Sequence, residues 1–560
     1  MSESAAGTQR FDLIGVIGLV GLLALVLGAF LIGEFEVSDV TGSDVIGSDL
    51  ITLPMVGLPI LAALVMLGIT TSLPENVDVG IYIRWATLAI ASVPLAISTL
   101  MMFGAVDGFD LSNLGRNQYA MYFEYAWMPQ IGDGIHWRVG LDGLSFPMVW
   151  LTAMLVPITL ITTWNERNSA VHHPLVLLMG GALIGVFVAL DLFMFYMFWE
   201  FTLIPMFFLI LKWGGSERRY AAQKFFIYTF SASVIMLMGF ITLYFAGGRS
   251  FDLVALAQGS AALDPTLARV VFWMLMFGFL VKLPAAPFHT WLPDAHVQAP
   301  TAGSMLLAGV MLKMGAYGMF RFPLTMLGEL GDGTSLLEEY QTILMIIGMI
   351  SLVYGSIICL GQTNLKRMVA YSSVSHMGVI LLGIATLEPL GYAAAMFMMF
   401  AHGIISPMLF AVCGAFKHHY HSMEIGAMRG MARHSPWIAT SMMFAWMGSL
   451  GLPLLAGFVA EFLLLIAFWH AGFQWWILPI GATLAITAAY YLWSMQRTIF
   501  EGGEHGQLPA TLEGHEVPDL DPWERAGMLI MAALTILFGV LPFLVLDMMN
   551  AWSVVALGVI

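Results

Sequence analysis

A membrane-crossing helix needs about 20 consecutive apolar residues, and this 560-residue chain supplies such runs over most of its length. They fall at 12–33, 52–71, 82–104, 143–163, 174–190, 192–212, 224–247, 268–283, 301–321, 342–361, 368–387, 390–415, 436–469, 473–495 and 525–548. The pattern predicts an all-α polytopic membrane protein of about 14 core helices plus one extra N-terminal helix, with no room for a sizeable soluble domain. Composition agrees, since 59% of residues are hydrophobic and only 10% charged, against about a quarter charged in a soluble domain.

The first run follows Arg10 and exceeds the 7–15 residues, roughly, of a signal-peptide core; no small-x-small cleavage site stands out after it. It is read as a retained helix. Basic residues gather in 212–224 (Lys212, Arg218, Arg219, Lys224), at Lys366 and Arg367, and in 417–433 (Lys417, Arg429, Arg433), while alternate loops such as "GELGDGTSLLEEY" are acidic. The positive-inside rule then predicts a cytoplasmic N-terminus and an external C-terminus; no nucleotide-binding loop is in sight, and the expected location is a prokaryotic cell membrane. The net charge of −15, with 6 lysines against 36 acidic residues, disfavours nucleic acid as a partner and leaves the lipid bilayer as the expected surroundings. Such a surface fits a high-salt habitat or loops that are low in lysine for other reasons. Cys359 and Cys413 are far apart in apolar runs, a spacing of packing residues and not of a disulfide, zinc or iron–sulfur framework.

Ionisable residues at bilayer depth cost at least about 2.5–3.5 kcal/mol each and need a partner, water or a use. Six stand inside the runs: Glu200, Lys282, Lys313, His376, His402 and Glu461. One acid–base pair is as well explained by a static bridge as by function. Six sites on six helices are a costly glue when Ser or Asn would serve, whereas carboxylate, lysine and histidine in series suit a proton relay.

Two runs are broken. After Lys282, Pro284 and Pro287 end the helix, and "PFHTWLPDAH" follows with His289, Asp294 and His296; in 436–469, "GSLGLPLLAG" places Gly451, Pro453 and Gly457 inside an apolar stretch. Freed backbone groups at that depth are tolerated only against protein or a wet cavity. Without the first helix, these are the seventh and twelfth spans. Each is then the fourth helix of a five-helix unit, the arrangement of an inverted-repeat transporter, with Glu200 and His376 in matching second helices. The organisation expected is an extension with a helix and acidic loop over 1–50, three helices over 51–170 with a long aromatic connection at 105–142 that caps the outer face, five-helix units over 171–325 and 340–500, and a cytoplasmic loop with a last helix over 501–560. A metal is not expected: His289, Asp294 and His296 lack ligand spacing, and "KHHYH" (His418, His419, His421) reads as a solvated loop cluster.

The stretches "FMFYMFWEFTLIPMFFLI", "VKLPAAPFHTWLPDAHVQAPTAGSMLLAGVMLKMGAYG", "NLKRMVAYSSVSHMG" and "GFVAEFLLL" resemble the antiporter-like membrane subunits of respiratory complex I, over roughly residues 53–548. Glu461, where most such subunits carry lysine, and the form of "HTWLPDAHVQAPTAGSMLLAGVMLK" make the resemblance narrowest to the subunit M line (mitochondrial subunit 4). The resemblance implies a proton-translocating subunit of a quinone oxidoreductase. Glu200 and Lys282 would gate proton loading, Lys313, His376 and His402 would continue the axis, and Glu461 would sit on its exit side or hand over to the next subunit. It implies no redox residue or cofactor in this chain, with quinone, FMN and iron–sulfur clusters in other subunits and L-like and N-like subunits as neighbours. A cation/proton antiporter or membrane-bound hydrogenase subunit shares the pattern and is the alternative. The N-terminal extension departs from the family's usual form.

Overall fold

The computed structural model describes residues 51–558 apart from 75–78, 107–108, 112–113, 115–117, 129, 131–133, 261–262, 329, 331–332, 334, 428 and 501–518. The helix expected at 12–33 and its acidic loop lie outside the described residues.

Helices α1 (Thr52–Ser72) and α2 (Gly80–Met102) lead into an antiparallel hairpin of β1 (Ala120–Met128) and β2 (Ile135–Leu141). Helices α3 (Ser145–Thr162), α4 (Ser169–Val188), α5 (Leu192–Trp213) and α6 (Arg218–Ala246) follow. The seventh span is split into α7 (Pro265–Lys282) and α8 (Trp291–Gln298). Next come α9 (Thr301–Leu324), α10 (Leu336–Leu360), α11 (Leu365–Ala385) and α12 (Pro389–Tyr420). The twelfth is split into α13 (Pro436–Ser449) and α14 (Ala456–His470), and the chain ends with α15 (Gln474–Phe500), α16 (Pro522–Val540) and α17 (Phe543–Ala556). Among the described residues, 13 helices are long and apolar enough to cross a membrane.

Two expectations are corrected. The connection at 105–142 contains the hairpin, because "YFEYAW" and "IHWRVG" pair through Tyr125–Trp137 and Glu124–Arg138, and a strand pair satisfies its own backbone. The run 525–548 is two helices, because Pro542 brings no N–H to continue the ladder and instead stands as the N-cap of α17.

The layering follows from polarity. The apolar cores of α9 and α12 are wholly buried, and those of α3, α4 and α11 nearly so, whereas α6, α10, α15 and α16 leave much of theirs outside. The outward residues are of the kind lipid accepts, such as Ile227, Phe245, Ile357 and Leu478. At one end of the bundle the basic loops meet: Gly215 N–H donates to the Gln298 carbonyl (2.9 Å), Leu365 N–H to that of Met423 (2.8 Å), and Lys224 pairs with Asp294 at 2.6 Å. At the other end the hairpin meets the start of α5 and the end of α9. There Leu190 N–H donates to the Arg138 carbonyl (2.9 Å), and Arg321 holds Asp142 at 2.6 Å.

Candidate functional site

The breaks are closed by protein groups. Beyond Lys282, the indole N–H of Trp291 donates to the Val281 carbonyl (2.9 Å), and Ser351 Oγ accepts the Ala286 N–H (2.9 Å). The irregular turn is thus satisfied at depth.

Lys282 is buried at the end of α7, with Nζ 5.3 Å from the Trp199 ring centroid and 6.0 Å from that of Phe225. Its Nζ has no hydrogen-bond partner among the described residues, nor has Oε1 of Glu200. Glu200, beside Tyr196 and Ser233 and within electrostatic reach of Lys282, therefore does not close an ion pair with it. Aromatic faces hold the ammonium meanwhile.

A second group is tighter. In α9 the ladder widens to a π-turn over Leu307–Met311, where Leu312 N–H reaches back to the Leu307 carbonyl; such turns are frequent at functional sites. Lys313 Nζ donates to the Ala308 carbonyl within this turn and lies 2.7 Å from Nδ1 of His402 on α12. Two glycines allow the approach: a Cβ on Gly403 would stand 3.0 Å from the Gly309 carbonyl and 2.3 Å from Leu151. The His402 and His376 ring centroids are 5.3 Å apart. On α11, His376 points Nδ1 at the Ser372 carbonyl (2.8 Å) and Nε2 at the Ser449 carbonyl (3.2 Å), the last residue of α13. A neutral imidazole donates from one nitrogen only, so its tautomer decides which of the two carbonyls receives the hydrogen bond. Tyr491 ties the same place together, its hydroxyl 2.7 Å from Ser449 Oγ and 3.1 Å from Ser372 Oγ. Beyond the break, the buried Glu461 carboxylate lies over Gly451, where an added Cβ would come within 2.2 Å of Oε2. Pro453 is in the same turn, between α13 and α14.

The remaining expected residues spread out. His296 stacks on Phe410 of α12 at 4.2 Å, and His289 faces Tyr354 at 5.0 Å. Asp294 belongs to neither: it is paired at the basic end with Lys224 and, at 3.9 Å, with Arg367. The histidine run is corrected as well. His418 and His419 form the last turn of α12, with His419 buried, because the helix continues beyond 415 to Tyr420.

Three features escaped the sequence reading. Arg321, at the very end of an apolar run, is buried and gives two hydrogen bonds to Asp142 (2.6 and 2.9 Å), which also accepts from the Trp552 indole (3.1 Å). Burial opposes the Asp142 charge, yet Arg321 and Ser145 hold its carboxyl below the usual aspartate value. Lys366 counts in sequence as a loop charge, but it is buried and donates to the Ala299 carbonyl (2.6 Å) at the end of α8. Asp191 caps α5 by accepting from Phe193 N–H (2.9 Å), and burial pushes its carboxyl up to about 6. An ionisable residue within a few positions of a run's edge would have been the signal for all three.

Residues 189–487, a span that contains Glu200, Lys282, Lys313, His376, His402 and Glu461, match the family model for the membrane region of NADH:quinone oxidoreductase and Mrp antiporter subunits. The chain is 40% identical over 501 residues to F(420)H(2) dehydrogenase subunit M of Methanosarcina mazei, covering 83% of this chain and 97% of that protein. The chain belongs to this family. As an antiporter-like subunit of the M type, it is also 38% identical over 480 residues to NADH-quinone oxidoreductase subunit M of Rhodobacter capsulatus, covering 83% and 89% of the two chains. Among solved structures it is similar to a chain of respiratory complex I from Thermus thermophilus with bound NADH (TM-score 0.74, 27% identity, 90% of this chain and 99% of that one). The antiporter-like fold is therefore shared end to end with that chain over most of the described helices.

Proposed function

We propose that this chain translocates protons along the buried series Glu200, Lys282, Lys313, His402, His376 and Glu461 as one membrane subunit of a quinone oxidoreductase. The observation that carries the reading is the Lys313–His402 contact at 2.7 Å, continued by His376 to the Ser449 carbonyl at the break of the twelfth span. A lysine ammonium facing an imidazole nitrogen is a donor facing an acceptor, and a proton passed to His402 stands one ring away from His376. At the loading end, drawing Glu200 away from Lys282 weakens the electrostatic hold on the lysine proton, and closing the gap restores it.

Electron transfer belongs elsewhere on this reading, with quinone, FMN and iron–sulfur clusters in other subunits. The donors in the relatives' names, F(420)H(2) and NADH, support it, since chains of one kind serve both. L-like and N-like membrane subunits are the neighbours proposed, and α4–α9 and α10–α15 are taken as the two inverted five-helix units. The gathering of Lys224, Arg367 and Lys366 at one end of the bundle supports a cytoplasmic placement for that end, with the C-terminus outside.

The test is proton uptake by vesicles bearing the assembled complex, wild type against Lys282→Met, with electron-transfer rate recorded in parallel. Loss of uptake in an assembled, electron-transferring complex is expected. An unchanged proton yield per electron would make Lys282 structural and end the relay reading.

A further inference from the structure

The end of α12 and the start of α16 meet through three side chains that the proton axis does not use. His418 Nδ1 is 3.2 Å from Glu524 Oε1, and His419 Nε2 is 2.8 Å from Glu524 Oε2. One ligand atom from each residue can be chosen so that all lie within 4.8 Å of one another. We propose that His418, His419 and Glu524 form a divalent transition-metal site of the zinc class, clamping α12 to α16 at the basic end of the bundle.

Two imidazoles and one carboxylate are the ligand set of an open tetrahedral zinc site, in which water takes the fourth place. Bonds of about 2.0–2.1 Å place neighbouring ligand atoms in such a site roughly 3.4 Å apart. The observed spacings of 2.8 and 3.2 Å run to the two different oxygens of Glu524, and with all three ligand atoms within 4.8 Å a side-chain adjustment of about 1 Å admits the ion. The exposure is graded as such a site requires. The side chains of His419 and Glu524 are 4% and 14% exposed, which fixes them, while His418 at 57% opens the site to solution. Glu524 is further oriented from behind, since its Oε2 accepts the Asp521 N–H at 3.1 Å in the capping box of α16; such outer contacts tune a metal ligand. The nearest guanidinium on the same helix, Arg525, is engaged elsewhere, with the Leu520 carbonyl (3.1 Å) and over the Trp437 ring (4.5 Å). It therefore does not occupy the place of the cation.

The complete chain, purified in detergent and stripped with a chelator, is dialysed to equilibrium against zinc chloride and then titrated with cobalt(II) as a visible probe. One zinc per chain is expected, together with the intense visible bands of tetrahedral cobalt(II), bleached when zinc is added. His419→Gln should lower the affinity by more than the roughly 10–100-fold typical of losing an outer-shell partner. Glu524→Gln should do the same while keeping an oxygen to accept the Asp521 N–H, so its thermal transition reports folding separately. His421→Gln, in the same sequence run but outside the group, should bind as wild type does. Absence of saturable one-to-one binding, or His419→Gln and Glu524→Gln chains that bind zinc as tightly as wild type, would overturn the site. The three residues lie outside the titratable axis, so neither result bears on proton transfer.

Discussion

Lys313 of α9 sets its Nζ 2.7 Å from Nδ1 of His402 on α12, the closest approach between two titratable side chains of the proposed axis. Both helices are buried throughout their apolar cores, so neither group has lipid or bulk water as an alternative partner. Replacing Lys313 by Met should abolish most proton uptake per electron while leaving the complex assembled. Lys313→Arg should retain part of it, because the charge stays although the fork fits an imidazole poorly. Equal yields for wild type and Lys313→Met in vesicle assays would remove this contact from the route.

Gly451 packs against Glu461 at the other end of the proposed axis. Its φ of +79° is a conformation that L residues adopt at a cost of roughly 1–2 kcal/mol, and a Cβ there would collide with Oε2 of Glu461. Gly451→Ala should lower the thermal transition and also cut proton yield, by displacing the carboxylate. Glu461→Gln in the same background tests the link: if displacement of Glu461 is the cause, the second change adds little to the loss of yield.

The Asp142–Arg321 pair predicts an acid-sensitive step. Its carboxyl is held below the ordinary aspartate value by Arg321 and Ser145 against the cost of burial. A depressed carboxyl stabilises the fold fully above the unfolded pKa of about 3.9, and that stabilisation is lost as pH falls through the folded value. Wild type should therefore lose thermal stability below about pH 4. Asp142→Asn should be less stable at neutral pH by about 3–5 kcal/mol, since Arg321 is left buried and unpaired, and should show a shallower decline below pH 4. Melting curves followed by tryptophan fluorescence decide it, and parallel declines for the two proteins would contradict the assignment.

Trp291 offers a test of how the broken seventh span is sealed. Trp291→Phe keeps the ring but removes the donor to the Val281 carbonyl, leaving an acceptor unsatisfied at depth for about 1–3 kcal/mol. Thermal stability should fall by that order. A variant that melts with wild type would show that the carbonyl finds another donor.

Much of this was legible in the chain. The runs at 52–71 and 192–212 became helices over 52–72 and 192–213, because in lipid a backbone without internal hydrogen bonds is too costly and length alone fixes the element. Pro284, Pro287 and Pro453 marked real breaks because a missing N–H acts locally. Three misses share one cause. Lys366, Arg321 and His419 sit at the edges of apolar runs, where sequence cannot distinguish a solvated terminus from one buried under a neighbouring helix. Pro542 passed unmarked because its flanks are apolar on both sides. The hairpin partners Tyr125 and Trp137 come from two short segments that no apolar run marks, and only their pairing reveals them as strands.

Sequence by itself therefore determined the membrane-crossing class, the broken spans and the titratable residues in the middle of apolar runs, since each follows from local solvation and backbone chemistry. Tertiary structure decided which of them meet. Lys313 finds His402 because Gly309 and Gly403 let two helices approach, and His376 finds the Ser449 carbonyl because a break in another helix exposes it. Such meetings depend on distances between helices far apart in the chain, which packing sets and no local pattern encodes.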